Sequence, residues 1–155
     1  MPTVLDQIRT LLSAHPVPYE ELTHDPVSSA EEAASVRGTP LAMGAKSIVF
    51  KADDRFLLLA FSAARELSAK GLRRSLGVRR TRFARREELA ELTGLAPGAV
   101  PPFGEPVFEL PLYADPSLLA EERIVFTPGV RDRSILLASA DWRAVARPEV
   151  VAFTR

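Results

Sequence analysis

A chain of 155 residues, 46% hydrophobic and 26% charged, is about one domain's worth and long enough to bury a real core. It has no cysteine, which excludes disulfides, cysteine-ligated zinc and a cysteine nucleophile. Net charge is zero, which argues against a strong nonspecific nucleic-acid binder, and no apolar run approaches the ~20 residues that span a bilayer.

Thr3 is placed to cap a helix running to about Ala14, with Val4, Ile8, Leu11 and Leu12 at helical spacing. Met1 to Ala14 lacks the basic start and continuous apolar stretch of a signal peptide. His15-Pro16 ends the helix, and Val17 to Thr23 reads as a short strand. Ser28 and Ser29 each stand three residues before a glutamate, a capping-box pattern for a helix that stops at Gly38. Lys46 to Ala52 and Phe56 to Phe61 read as adjacent strands around a tight turn at Asp53-Asp54-Arg55. Glu66 to Leu76 is a basic amphipathic helix capped by Gly77, followed by a short strand at Thr81 to Ala84 and a helix over Arg85 to Leu92. Gly94 to Gly104 is a loop. Val107 to Tyr113 reads as an edge or bulged strand because of Pro111. Strands at Arg123 to Phe126 and Ser134 to Ala138, a helix over Asp141 to Ala146 and a strand at Val150 to Phe153 complete the chain. Strands and helices mix without strict alternation, which favours a single α+β domain.

Charge is uneven along this order. Residues 1–40 hold six acids and two bases, 41–86 three acids and twelve bases, and 87–155 eleven acids and six bases. The basic stretch reads either as a solvated face or as a landing surface for phosphates. The two histidines, His15 and His24, have no carboxylate cluster around them, so no metal site and no cofactor are expected. No G-x-S-x-G elbow, P-loop or G-x-G-x-x-G is present.

Three segments remain as carriers of chemistry. In Gly44-Ala45-Lys46-Ser47-Ile48-Val49-Phe50 a lysine stands at the mouth of an apolar strand. It marks either the strand end or a fixed cation for a phosphate or oxyanion. The loop from Thr93 to Gly104 is rich in glycine and proline, and is either a rigid surface turn or a set of backbone N–H groups held for an oxygen. Phe126-Thr127-Pro128-Gly129-Val130-Arg131-Asp132-Arg133 is a turn carrying a hydroxyl and two arginines.

In this order and spacing the three segments resemble the YbaK/prolyl-tRNA-synthetase-associated editing family. His24-Asp25-Pro26-Val27 followed by Ala30-Glu31-Glu32-Ala33-Ala34 is similar to the family's early H-x-P-V…E-E-A-A segment. The resemblance runs from about His24 to Trp142. It implies one α+β domain over residues 1–155, with a mixed or antiparallel curved sheet flanked by helices. It implies a deacylase, acting in trans in the cytoplasm, that hydrolyses the ester of a mischarged tRNA. The expected substrates are tRNA-Pro or a related tRNA carrying alanine, serine, threonine or cysteine.

By position, the resemblance makes Lys46 the electrostatic residue at the terminal adenosine and ester. Gly98 and Ala99 become the backbone donors to the substrate carbonyl. His24, Pro97, Phe103, Gly104, Thr127, Gly129 and Arg131 become substrate-binding positions, with Pro102, Phe103 and Gly104 shaping the loop rather than reacting. The nucleophile is then water, helped by a hydroxyl of the terminal ribose. Lys70, Arg73, Arg74, Arg79 and Arg80, with Arg82, Arg85 and Arg86 after them, become contacts to the acceptor-stem backbone. The expected partners are the aminoacyl-tRNA acceptor end and, as a candidate, a synthetase; neither membrane nor DNA is expected. Two departures leave the amino acid open: Ser134 stands near the family's acidic position, and Met43-Gly44-Ala45 replaces a histidine-containing approach to the lysine. A noncatalytic binding module of the same fold and a deacylase for another small acyl ester are the alternatives.

Overall fold

The computed structural model describes residues 1–155, which form six α-helices and eight strands. Helix α1 (Val4–Ala14) starts on a reciprocal cap: Asp6 N–H donates to Thr3 Oγ1, and Thr3 N–H donates to the Asp6 carboxylate. It buries Leu5, Ile8 and Leu12. Strand β1 (Tyr19–Thr23) leads to α2 (Ala30–Arg37), which is capped by Ser29 and ended by Gly38 at φ 70°. A single 3-10 turn at Leu41–Met43 delivers the chain to a hairpin, β2 (Ala45–Ala52) and β3 (Arg55–Ser62). Helix α3 (Ala69–Leu76) starts three residues later than the sequence pattern suggests. The residues before it pair instead with the chain end: Leu67 bridges Thr154, and the Glu66 and Arg155 backbones exchange hydrogen bonds.

The remaining elements are β4 (Thr81–Phe83), α4 (Arg86–Thr93), β5 (Leu112–Ala114), α5 (Pro116–Leu119), β6 (Arg123–Phe126), β7 (Arg133–Ala138), α6 (Ser139–Ala146) and β8 (Glu149–Val150). The strand expected over Val107 to Tyr113 survives only from Leu112. Val107 and Phe108 donate their N–H groups back to the Gly104 carbonyl and form a turn. What remains is an interior strand, parallel to both β3 and β8. The final strand is likewise shorter than expected: Phe153 and Thr154 give their N–H groups to the Asp115 carboxylate.

The strands form two sheets, an antiparallel β1-β7-β6 and a mixed β4-β2-β3-β5-β8, joined by a bridge between Gly44 and Val125. The larger core includes α1, both sheets and α6, with Trp142 fully buried and its Nε1–H on the Pro102 carbonyl at 2.8 Å. A smaller one packs Leu72 of α3 and Phe153 against Phe50, Leu57, Leu59 and Phe61. No helix is long and apolar enough to cross a membrane.

One strand edge positions the site. β2 pairs with β3 along its whole length. On its other edge β4 pairs only with Phe50 to Ala52, and β6 forms a bridge only at Gly44. Residues 45–49 between them pair with no strand on that edge. Ala84 N–H closes on the Val49 carbonyl at 2.9 Å, and a cleft opens beside the rest.

Candidate active site

The cleft has a volume of about 490 Å³. Its walls come from α2, the β2 edge, the start of α4, the 97–100 loop and the turn after β6. Lys46, Pro97, Gly98, Thr127 and Arg131, picked out from the sequence on three separate segments, all line it. Lys46 is exposed at the rim and forms no ion pair. Gly98 has φ 90°, a conformation that favours glycine, and its N–H makes no hydrogen bond within the protein. Arg131 donates from Nη2 to the Pro97 carbonyl and so ties the turn after β6 to the loop.

The cleft also holds a residue that the sequence did not single out. Arg37, the last residue of α2, is partly buried and has no carboxylate partner. Its Nε–H donates to Ser134 Oγ at 2.7 Å and its Nη2–H to Thr127 Oγ1 at 3.1 Å. Desolvation pushes its pKa down to about 10, so it remains a cation at neutral pH. A charge placed this way is costly unless something anionic or strongly polar meets it.

His24 belongs to the same network rather than to the cleft wall. An arginine only donates, so Ser134 Oγ accepts from Arg37; the Asp25 carbonyl only accepts, so the ring hydrogen of His24 sits on Nδ1 and Nε2 accepts from the Ser134 hydroxyl at 2.7 Å. Nδ1 donates to the Asp25 carbonyl at 2.8 Å. His24 thus reaches Arg37 only through the Ser134 hydroxyl. Two further hydroxyls in the lining, Thr39 Oγ1 and Ser47 Oγ, are buried without any partner. Arg37, Lys46 and Arg131 face a single acid in the lining, Glu31.

Several sequence-picked residues lie elsewhere. Ala99 is 5% exposed and outside the lining, and its N–H donates to the Ala96 carbonyl at 3.2 Å, leaving Gly98 as the free backbone donor. Gly129 packs against α1, where a Cβ would stand 3.0 Å from that of Val4, and its N–H bonds the Ala99 carbonyl at 2.9 Å. It fixes the loop from behind. Phe103 is 1% exposed and stacks edge-on against Phe126 in the core. Gly104 is buried where a Cβ would lie 2.6 Å from the Leu110 carbonyl oxygen. Lys70, Arg73 and Arg74 sit on α3, with Arg79 and Arg80 in the turn before β4; none lines the cleft and none forms an ion pair.

A model of the aminoacyl-tRNA editing domain family matches residues 24–145. The chain belongs to that family. It is 35% identical over 151 residues to the multifunctional Ser/Thr-tRNA deacylase ProXp-y of Escherichia coli (strain K12), spanning 94% of this chain and 89% of the relative. The proline–tRNA ligase of Heliobacterium modesticaldum is 30% identical over 86% of this chain, which covers 25% of that longer protein. A crystal structure of a candidate trans-editing enzyme for prolyl-tRNA synthetase superposes with TM-score 0.82 and 25% identity, over 100% of this chain and 99% of that one. The chain is thus an aminoacyl-tRNA deacylase that hydrolyses the ester of mischarged tRNA, and aminoacyl-tRNA is its substrate.

Proposed function

We propose that the cleft is the hydrolytic site of a deacylase acting in trans on tRNA wrongly charged with serine or threonine. The observation that carries this is the company Lys46 keeps: a carboxylate-free Arg37 and an unbonded Gly98 N–H share its cleft. In hydrolysis the water oxygen bonds to the ester carbon and the ribose oxygen leaves with a proton. The vicinal ribose hydroxyl takes the water's proton and hands it on. Negative charge gathers on the carbonyl oxygen, where the Gly98 N–H donates and the Lys46 ammonium lowers its energy. Catalysis is then positioning plus electrostatic stabilisation, supplied by one backbone donor and one cation.

The amino acid follows from the lining that α2 and the start of β2 provide. Ala33, Ala34 and Ala45 leave room for a small side chain, and Arg37 supplies donors for a hydroxyl. A site built to bond a hydroxyl rejects analogues lacking it far better than an apolar pocket sorts by size, which yields only about 1–3 kcal/mol per methylene. The 35% identity with a Ser/Thr-tRNA deacylase supports the same choice. Glu31 is the counter-charge for the α-ammonium. The match to proline–tRNA ligases supports a synthetase as partner and the cytoplasm as the place of action.

Incubation with tRNA charged with serine, threonine, alanine, cysteine or the correct amino acid tests this directly. Serine and threonine are expected to be released fastest. Release of none, or release indifferent to the amino acid, refutes the assignment.

A further inference from the structure

We propose that Phe83 is a stacking platform for the base of the terminal nucleotide, a nucleobase subsite at the end of the cleft away from Lys46. The proposal rests on the deacylase reading above. Among the four exposed large hydrophobic residues, Met1, Val36, Phe83 and Val130, Phe83 is the one aromatic, and it is 60% exposed. It also lines the cleft. Its ring is braced rather than loose: it leans on the buried Phe50, with centroids 4.6 Å apart and planes at 60°. The strand beneath it is pinned on both sides. Ala84 N–H bonds Val49 O, and Arg82 forks onto Glu88 at 2.8 and 3.0 Å. That fork, together with the Arg85 N–H, holds the Glu88 carboxyl down at about 2.

The layout fits a nucleotide. Phe83 pairs in register with Phe50, and cross-strand partners point to the same face of a sheet. Residues two apart along β2 share that face too, so Phe83, Phe50, Ile48 and Lys46 form one row. Four residues of strand, about 13 Å, separate Phe50 from Lys46. A base on Phe83 thus leaves its ribose and ester to extend toward the lysine. Charge favours a nucleic acid over an apolar protein segment here: Arg79, Arg80, Arg85 and Arg86 flank β4, exposed and without ion pairs. Stacking suits a single-stranded end because every base has a π-face.

The test is the affinity of an uncharged minihelix RNA with a single-stranded CCA end, measured for wild type, Phe83→Leu and Phe83→Trp. The expected result is a loss of about 5- to 100-fold for Leu and retention for Trp. An RNA lacking only the terminal base should bind wild type correspondingly weakly and show no further loss with the Leu variant. In turnover of charged tRNA, Phe83→Leu should raise KM and leave kcat near wild type. Equal affinity for the Leu variant, or a loss that follows the penultimate base instead, overturns the proposal. The binding arm uses uncharged RNA, so failure of every charged tRNA to turn over would sink the deacylase reading separately.

Discussion

Around Asp115 the polar groups are matched; around Arg37 they are not. Asp115 is 3% exposed, and its two oxygens accept from the Phe153, Thr154 and Ser117 N–H groups and from the Thr154 hydroxyl, at 2.8–3.0 Å. Its own N–H bonds the Ala60 carbonyl, so one residue ties β3, α5 and the chain end together. Arg37 by contrast has hydroxyls where a buried cation calls for a carboxylate, and it shares its cleft with two orphaned hydroxyls and the free Gly98 N–H. Buried polar groups are normally satisfied, and those that are not ask for a reason. The first cluster is built for stability. In the second, on the reading proposed above, the missing partners belong to a ligand.

The largest expected effect is on turnover. Lys46→Ala should lower kcat/KM on a susceptible tRNA about 10²- to 10³-fold, the size of losing one stabiliser of the developing charge. Asp115→Ala should instead destabilise the fold by about 3 kcal/mol, since it strands several buried donors; urea denaturation measures this. The same group sets an acid limit. Burial pushes the Asp115 carboxyl up, but the Phe153, Ser117 and Thr154 hydrogen bonds outweigh it and leave the pKa below its usual value. A depressed folded-state pKa contributes stability above the unfolded value, near 4, and loses it as pH falls through the lower folded value. Midpoints measured from pH 6 down to 3 should therefore drop mainly below about pH 4, and the drop should shrink in Asp115→Asn.

Smaller again is Arg37→Met. It should reduce the preference for serine and threonine over alanine about 10- to 100-fold, read as a ratio of kcat/KM values. Its melting temperature should match wild type or exceed it, because a partly buried charge without a counter-ion disappears. A sharp fall in stability would mean that Arg37 is structural after all, and the contrast with Asp115 would fail. Thr3→Ala, in neither cluster, should lose only about 1 kcal/mol of stability through the α1 cap.

The local grammar of the chain was readable. Thr3 and Ser29 cap the helices they precede, Gly38 and Gly77 end theirs in the left-handed conformation, and Asp53-Asp54 turns the hairpin. Lys46, Pro97, Gly98, Thr127 and Arg131 meet in one cleft although three separate segments supply them. What escaped depends on distant partners. β5 is a strand because β3 and β8 lie on either side of it, which no pattern over Val107 to Tyr113 announces. Arg37 in the last turn of a helix looks like an ordinary complement to the helix dipole. Its meaning comes from Thr127 and Ser134, ninety or more positions away. Ala99 and Gly129 sit beside the cleft in sequence but spend their N–H groups on holding the loop.

The most direct measurement sets Lys46→Ala beside Asp115→Ala, recording for each the melting temperature and the deacylation rate on seryl-tRNA at a temperature where both remain folded. The lysine variant should melt with wild type and scarcely release serine, while the aspartate variant should melt early and, where folded, still release it. A lysine variant that turns over normally, or loses activity only in step with its stability, would contradict the assignment of the cleft.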